Sequence, residues 1–214
     1  MRMIMSILLV ISSVNLFSSY NPLPEGWYSI YGGYYSVDIS DNGQTVYICG
    51  ENGIVTVSTD RGVSWRQDFT GTHNTLYKVV AINDSTAIAV GENETIIRTE
   101  DKGKSWKSLE SDANGAFFDL SIFENTGFLA GETGEILKTT DYGRSWKNIY
   151  ETNSIIFGIV AVNREVIIAA TKYRTIFRTD DGGKSWTILD NEQTGFKDEY
   201  GNVRNIIKTD GKVI

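Results

Sequence analysis

Thr139-Thr140-Asp141-Tyr142-Gly143-Arg144-Ser145-Trp146 is one of four copies of a single phrase in this 214-residue chain. The others are Ser58-Thr59-Asp60-Arg61-Gly62-Val63-Ser64-Trp65, Thr99-Glu100-Asp101-Lys102-Gly103-Lys104-Ser105-Trp106 and Thr179-Asp180-Asp181-Gly182-Gly183-Lys184-Ser185-Trp186. Every copy satisfies Ser/Thr-x-Asp-x-Gly-x-Ser-Trp. With Trp27 included, the tryptophans fall 38, 41, 40 and 40 residues apart. A period of about forty residues marks a repeat architecture, in which each repeat is one supersecondary unit that buries its faces against its neighbours.

Each octet reads as a tight turn between two strands. The Asp carboxylate accepts from N–H groups just after it, and the Gly takes a conformation that a Cβ would penalise. The hydroxyls add local bonds, and the Trp buries a large ring as the next strand begins. The rival is a metal or catalytic cluster of Asp60, Asp101, Asp141 and Asp181. One acid per repeat places the four in separate turns, so the structural reading is preferred, with no metal and no cofactor expected.

These octets resemble the Asp-box, or bacterial neuraminidase repeat, of sialidases, sortilin-like receptors, some xyloglucanases and the photosystem II assembly/stability factor family. The resemblance covers about residues 27–214. It implies an all-β propeller of four-stranded antiparallel blades, with the box between the third and fourth strands. In the assembly-factor family repeats run Gly-x-x-Gly-x-Ile-x-x-Thr-x-Asp-x-Gly-x-x-Trp, and Gly131 to Trp146 reproduces that string. The first repeat keeps Gly50 and Gly53, the second has Glu94 in place of the second Gly, and the fourth has neither.

Aligned on the boxes, the first strands read 35–39, 76–80, 117–121 and 156–160. The second strands are small and apolar: 46–50, 87–91, 127–131 and 166–170. Such runs suit strands covered on both faces. Third strands lead into the boxes, and fourth strands are expected to begin at each Trp, so repeats end at Trp65, Trp106, Trp146 and Trp186.

This topology separates two ends of the blades. Loops from second to third strand, and from fourth strand to the next blade, share one end. There lie Glu51, Glu92 and Glu132, each in a Gly-Glu pair, followed in the fourth repeat by Thr171-Lys172-Tyr173-Arg174. His73, the single histidine, falls at the same end. These six residues, Glu51, Glu92, Glu132, Lys172, Arg174 and His73, are the candidates for partner binding. The Glu series also has a structural reading, as loop residues satisfying their own hairpins. The box end carries Arg61, Lys102, Lys104, Arg144 and Lys184, so opposite charge is expected at opposite ends. Arg98, Lys138 and Arg178, each just before a box Thr, are expected to snorkel or to pair between blades.

The net charge of −7 and a pI near 4.8 argue against nucleic-acid partners and anionic membranes. Twenty-one glycines and two prolines fit short strands and tight turns. Cys49, in an apolar run, reads as a small buried hydrophobe. Residues 1–19 read as a signal peptide: Arg2, an apolar stretch from Ile4 to Ile11, then a Ser-rich segment with cleavage near Ser18 or Ser19. The segment is too short for a stable membrane span. Export to the periplasm or outside the cell follows; the competing reading is an apolar N-terminal strand or arm.

Two functions compete. The resemblance implies a non-catalytic scaffold that recognises a protein partner. The alternative is a glycosidase of the sialidase or xyloglucanase kind. Sialidase-type chemistry needs an arginine cluster, a Tyr nucleophile and acid/base carboxylates. Only Arg164 and Arg174 fall together, and no feature singles out a pair among Asp119, Glu132 and Glu92. At the chain ends, Trp27 opens an orphan fourth strand. Residues 202–214 match a first strand, a turn at Asp210-Gly211 and the start of a second. A truncated ring, or an open ring that self-associates through an unclosed blade, is expected.

Overall fold

A computed structural model of the chain describes residues 33–172 and 175–189, with two short strands at 208–209 and 212–213. Contacts divide the chain into two units, Met1–Tyr31 and Gly32–Ile214, and all described residues belong to the second. The expected signal peptide, the Trp27 strand, Tyr173 and Arg174 lie outside the described residues.

Four antiparallel sheets form, each a meander in chain order. The first holds β1 (Tyr34–Ile39), β2 (Val46–Gly50), β3 (Val55–Ser58) and β4 (Arg66–Asp68). The second holds β5 (Leu76–Ala81), β6 (Ala87–Gly91), β7 (Ile96–Thr99) and β8 (Lys107–Ser108). The third holds β9 (Phe117–Phe123), β10 (Thr126–Gly131), β11 (Glu135–Thr139) and β12 (Lys147–Glu151). The fourth holds β13 (Ile156–Ala161), β14 (Ile167–Thr171), β15 (Ile176–Thr179) and β16 (Thr187–Leu189). First strands contact first strands of neighbouring sheets, β1 with β5, β5 with β9 and β9 with β13, so they form the inner edges of the blades. This is a β-propeller of four-stranded blades. β17 (Lys208–Thr209) pairs antiparallel with β18 (Lys212–Val213), and the expected turn at 210–211 between them lies outside the described residues.

The second strands are covered on both sides, as their composition requires. Ala87 and Ala89 of β6 join a cluster with Tyr47, Cys49, Val55 and Val57 of the first blade. Ile88 and Val90, the alternate residues, join Leu120, Leu129 and Leu137 of the third. Phe128 and Ala130 then turn toward Ile159, Ile167 and Ala169 of the fourth. Period-2 alternation thus serves two interfaces at once. Fourth strands begin one residue after each Trp, and β14 begins one residue later than expected. There Asn163 Oδ1 accepts from the Glu165 and Val166 N–H groups, which holds Val166 in the turn.

The box turns are alike in all four blades. The Ser58, Thr99, Thr139 or Thr179 hydroxyl donates to the Asp Oδ1 at 2.7–2.8 Å and accepts from the box Gly N–H at 2.8–3.0 Å. The Asp accepts from the N–H and, at 2.6 Å, from the hydroxyl of the box Ser. Hydrogen bonds from Ser64 and Ser105 hold Asp60 and Asp101 at about 2. Burial pushes Asp141 upward, but Ser145 and Thr139 outweigh it and bring it to about 2 as well. Ser185 and Thr179 hold Asp181 well below the ordinary carboxylate range.

The box also joins blades. A Cβ on Gly143 would lie 2.0 Å from Ile88 Cδ1 of the preceding blade, and one on Gly183 would lie 2.4 Å from Ile149 Cδ1. Trp106 meets Tyr47 edge-on at 6.3 Å, Trp146 enters the cluster between blades two and three, and Trp186 packs on the cluster between three and four. Cations close the outer seam by donating to carbonyls of the next blade's box. Arg98 Nε reaches Tyr142 O at 3.3 Å and Lys138 Nζ reaches Gly182 O at 2.7 Å. In the first blade Val57 occupies that sequence position, and its cross-strand neighbour Arg66 reaches Lys102 O instead. Arg178 pairs with Asp180.

Candidate functional site

The end of the blades bearing the second-to-third-strand loops combines carboxylates with a row of exposed rings. In blades one to three the Gly of each Gly-Glu pair is forced by backbone approach. A Cβ on Gly50, Gly91 or Gly131 would lie 1.9–2.1 Å from the carbonyl oxygen of Gly33, Thr75 or Ala116, just before the inner strand. The following residue donates its N–H to that same carbonyl, at 3.0 Å for Glu51, 2.9 Å for Glu92 and 2.8 Å for Glu132. Lys172 makes the corresponding bond to Ile155 O at 3.0 Å. The Glu side chains then fold back. Glu92 Oε2 accepts from Thr75 N at 2.9 Å and Glu132 Oε2 from Ala116 N at 3.1 Å. The Thr75 N–H bond lowers the pKa of Glu92.

Each inner strand carries a β-bulge at its second residue, between Tyr34 and Ser36, Leu76 and Lys78, Phe117 and Asp119, and Ile156 and Gly158. The bulged residues are Tyr35, Tyr77, Phe118 and Phe157. A bulge takes its extra residue out of the ladder and re-aims the side chain. The four rings form one row, with centroids 5.4, 5.4 and 5.6 Å apart. Tyr35 is 52% exposed and Phe157 39%, while Tyr77 and Phe118 are half-buried. The Tyr35 hydroxyl donates to Glu51 Oε1 at 3.0 Å and the Tyr77 hydroxyl to Glu92 Oε1 at 3.1 Å. Partial burial and the adjacent Glu92 carboxylate push Tyr77 up to about 12.

Below the row, the inner strands are bound to one another by polar side chains. Ser36 Oγ and Asp38 Oδ2 accept from Val79 N and Ala81 N of the second blade, at 3.2 and 2.8 Å. Asp119 Oδ2 and Ser121 Oγ accept from Ile159 N and Ala161 N of the fourth, at 2.9 and 3.0 Å. Lys78 bridges the middle pair through Asp119 Oδ1 at 2.9 Å. Desolvation pulls the Lys78 ammonium down, but Asp119 and Asp38 outweigh it and leave its pKa raised.

Glu92 and Glu132 thus bond the segment before the inner strand of their own blade rather than their own hairpins, and a row of rings, which the residue-type patterns had not singled out, lies at the same end. The signal was present near the start of the first strands, where the residues at 35, 77, 118 and 157 are all aromatic, though the expected strand starts put 35 one place out of line with the other three. His73 is exposed at the same end and packs on Phe69, with ring centroids 5.9 Å apart. One expectation is corrected. The box end is mixed rather than basic, because Glu100 pairs with Arg98 and Arg144, and Glu124 with Arg164. Arg164 lies in the β13–β14 turn at the box end, where it pairs with Glu124; Arg174, expected near it, lies outside the described residues. Among the described residues no group of three or more His, Cys, Asp or Glu side chains could hold a metal, and no helix is long and apolar enough to cross a membrane. Cys49 is buried, with its thiol donating to Leu76 O at 3.4 Å and its pKa pushed up by burial.

No curated protein matches the sequence. Solved structures do. One of YCF48 bound to D1 peptide shares 30% identity at a TM-score of 0.50, over 54% of this chain and 40% of that one. YCF48 from Cyanidioschyzon merolae shares 18% at 0.59, over 78% and 57%. The GH74 enzyme of Niastella koreensis shares 22% at 0.58, over 84% and 28%, a likeness of fold alone. The chain spans 40% and 57% of the lengths of the two YCF48 structures. The profile of the photosynthesis system II assembly factor YCF48 matches residues 70–214, more than half of the sequence. The box turns, the four-stranded blades and this match agree: the chain belongs to the photosystem II assembly factor YCF48 family of β-propellers.

Proposed function

We propose that the chain is a non-catalytic, exported scaffold whose propeller recognises a polypeptide. The observation that carries this reading is the engagement of its central carboxylates. Asp119 is held by Ile159 N and Lys78, Glu92 by Thr75 N and Tyr77, and Glu132 by Ala116 N. Groups already committed to structural bonds are poor candidates for the acid/base pair of a glycosidase, which must exchange protons during turnover. The family likeness, and the peptide bound to a relative, support polypeptide recognition.

The test is chemical cross-linking of the full chain in its native compartment, read by mass spectrometry, beside assays for release of sugar from xyloglucan and sialylated glycans. A specific polypeptide adduct without glycan cleavage is expected; enzymatic turnover of either glycan overturns the reading. Export is tested separately by N-terminal sequencing of the mature protein, which is expected to begin near residue 19. A cytosolic chain that retains Met1 overturns export.

A further inference from the structure

The row Tyr35, Tyr77, Phe118 and Phe157 runs unbroken across four inner strands, and its rings are lifted out of the sheets by bulges rather than packed into a core. Aromatic faces carry negative quadrupole charge and attract cations, arginine above all. Here the surroundings sharpen that preference. Both tyrosine hydroxyls spend their protons on Glu51 and Glu92, leaving acceptor character toward solvent. Glu94, Glu110, Asp112 and Glu151 are exposed in the loops and strand ends at the same end of the blades. None of these four is in an ion pair among the described residues. Glu51 and Glu92 beside the rings, with these further carboxylates at the same end, make an acidic rim complementary to a chain bearing Lys or Arg, with aliphatic stems laid on the rings. Four consecutive rings are also more surface than a single small cation can use.

Resting on the polypeptide reading above, we propose that this row docks an arginine- or lysine-bearing segment of a partner protein, with the rings taking the side-chain stems and the rim taking the charges.

The test uses the full chain and two fluorescein-labelled peptides, one alternating Arg with Leu and one alternating Glu with Leu, read by anisotropy at low ionic strength. The Arg-Leu peptide is expected to bind and the Glu-Leu peptide not to. The double variant Tyr35→Ser/Phe157→Ser is expected to weaken Arg-Leu binding about tenfold or more, while Tyr35→Phe/Phe157→Tyr retains it. Thermal melts accompany each variant. Should the serine variant fail to fold, Glu94→Lys/Glu110→Lys is expected to produce the same loss from exposed positions. Equal binding of both peptides, or Arg-Leu affinity unchanged in a folded ring or rim variant, overturns the site. Cross-linking separates the two ideas. A native polypeptide captured equally by the serine variant sinks this site and leaves polypeptide recognition standing, whereas glycan turnover with no polypeptide adduct sinks the broader reading.

Discussion

Gly143 and Gly43 have nearly the same backbone conformation, φ 73° and 72°, yet differ in what surrounds them. A Cβ at Gly43 meets nothing within 4 Å, whereas one at Gly143 would enter Ile88. Gly43→Ala is therefore expected to cost only the left-handed penalty, about 1–2 kcal/mol. Gly143→Ala adds overpacking and is expected to cost about 1–3 kcal/mol more. Urea unfolding of the two variants checks the difference, and equal losses would mean that the box Gly serves its turn alone. The box aspartates give a pH signature. Their folded pKa values lie below the ordinary carboxylate value, so they stabilise the fold above that value. The contribution is lost as pH falls from about 4 through about 2. Asp38 works in the opposite sense: burial raises its pKa, so its contribution is full at low pH and declines as pH rises. The boxes are isolated by comparing the chain with Asp101→Asn/Asp141→Asn. Melting temperature followed by tryptophan fluorescence is expected to fall less steeply in the variant between those pH values.

Strands are joined edge to face by two polar seams, and the inner one is uneven. Asp119 serves both Ile159 N and Lys78, while Ser121 serves Ala161 N alone. Asp119→Ala leaves two donors without their acceptor and is expected to cost about 2–3 kcal/mol; Ser121→Ala is expected to cost about 1 kcal/mol. Equal effects in chemical denaturation would refute this division. The periodic small apolar runs made the second strands readable to within a residue. The bulges were not readable, because a bulge depends on how one strand's carbonyls approach the next, and no residue type demands it. The aromatics were visible as letters, but only the bulges turn them into a row.

Blades are coupled pairwise, the boxes of the second, third and fourth blades inserting Gly and Trp into the blade before. Stability is then close to a sum of blade and interface terms, and protection is expected to follow coverage. Amide exchange should be slowest in β6 and β10, which are covered on both faces, and fastest in the short outer strands β4, β8 and β16. Uniform protection across the blades would refute pairwise coupling. Leu129, fully buried in the cluster between the second and third blades, is a second probe. Leu129→Ala is expected to cost about 2–5 kcal/mol in equilibrium unfolding, with the largest rise in exchange in β6 and β10.

By itself the sequence determined the repeat, the turn chemistry, the strand order and the blade architecture. All of these depend on contacts within one repeat of about forty residues, where spacing alone brings partners together. It also placed the Glu series and the cations ahead of the boxes in their proper positions. Only the tertiary structure decided what they meet. Arg98 and Lys138 reach carbonyls 44 residues away, Glu100 and Glu124 pair with Arg144 and Arg164 on the box face, and four rings from four strands become one surface. Those outcomes depend on the angle and distance between neighbouring blades, which arise from packing and have no local signature in the chain.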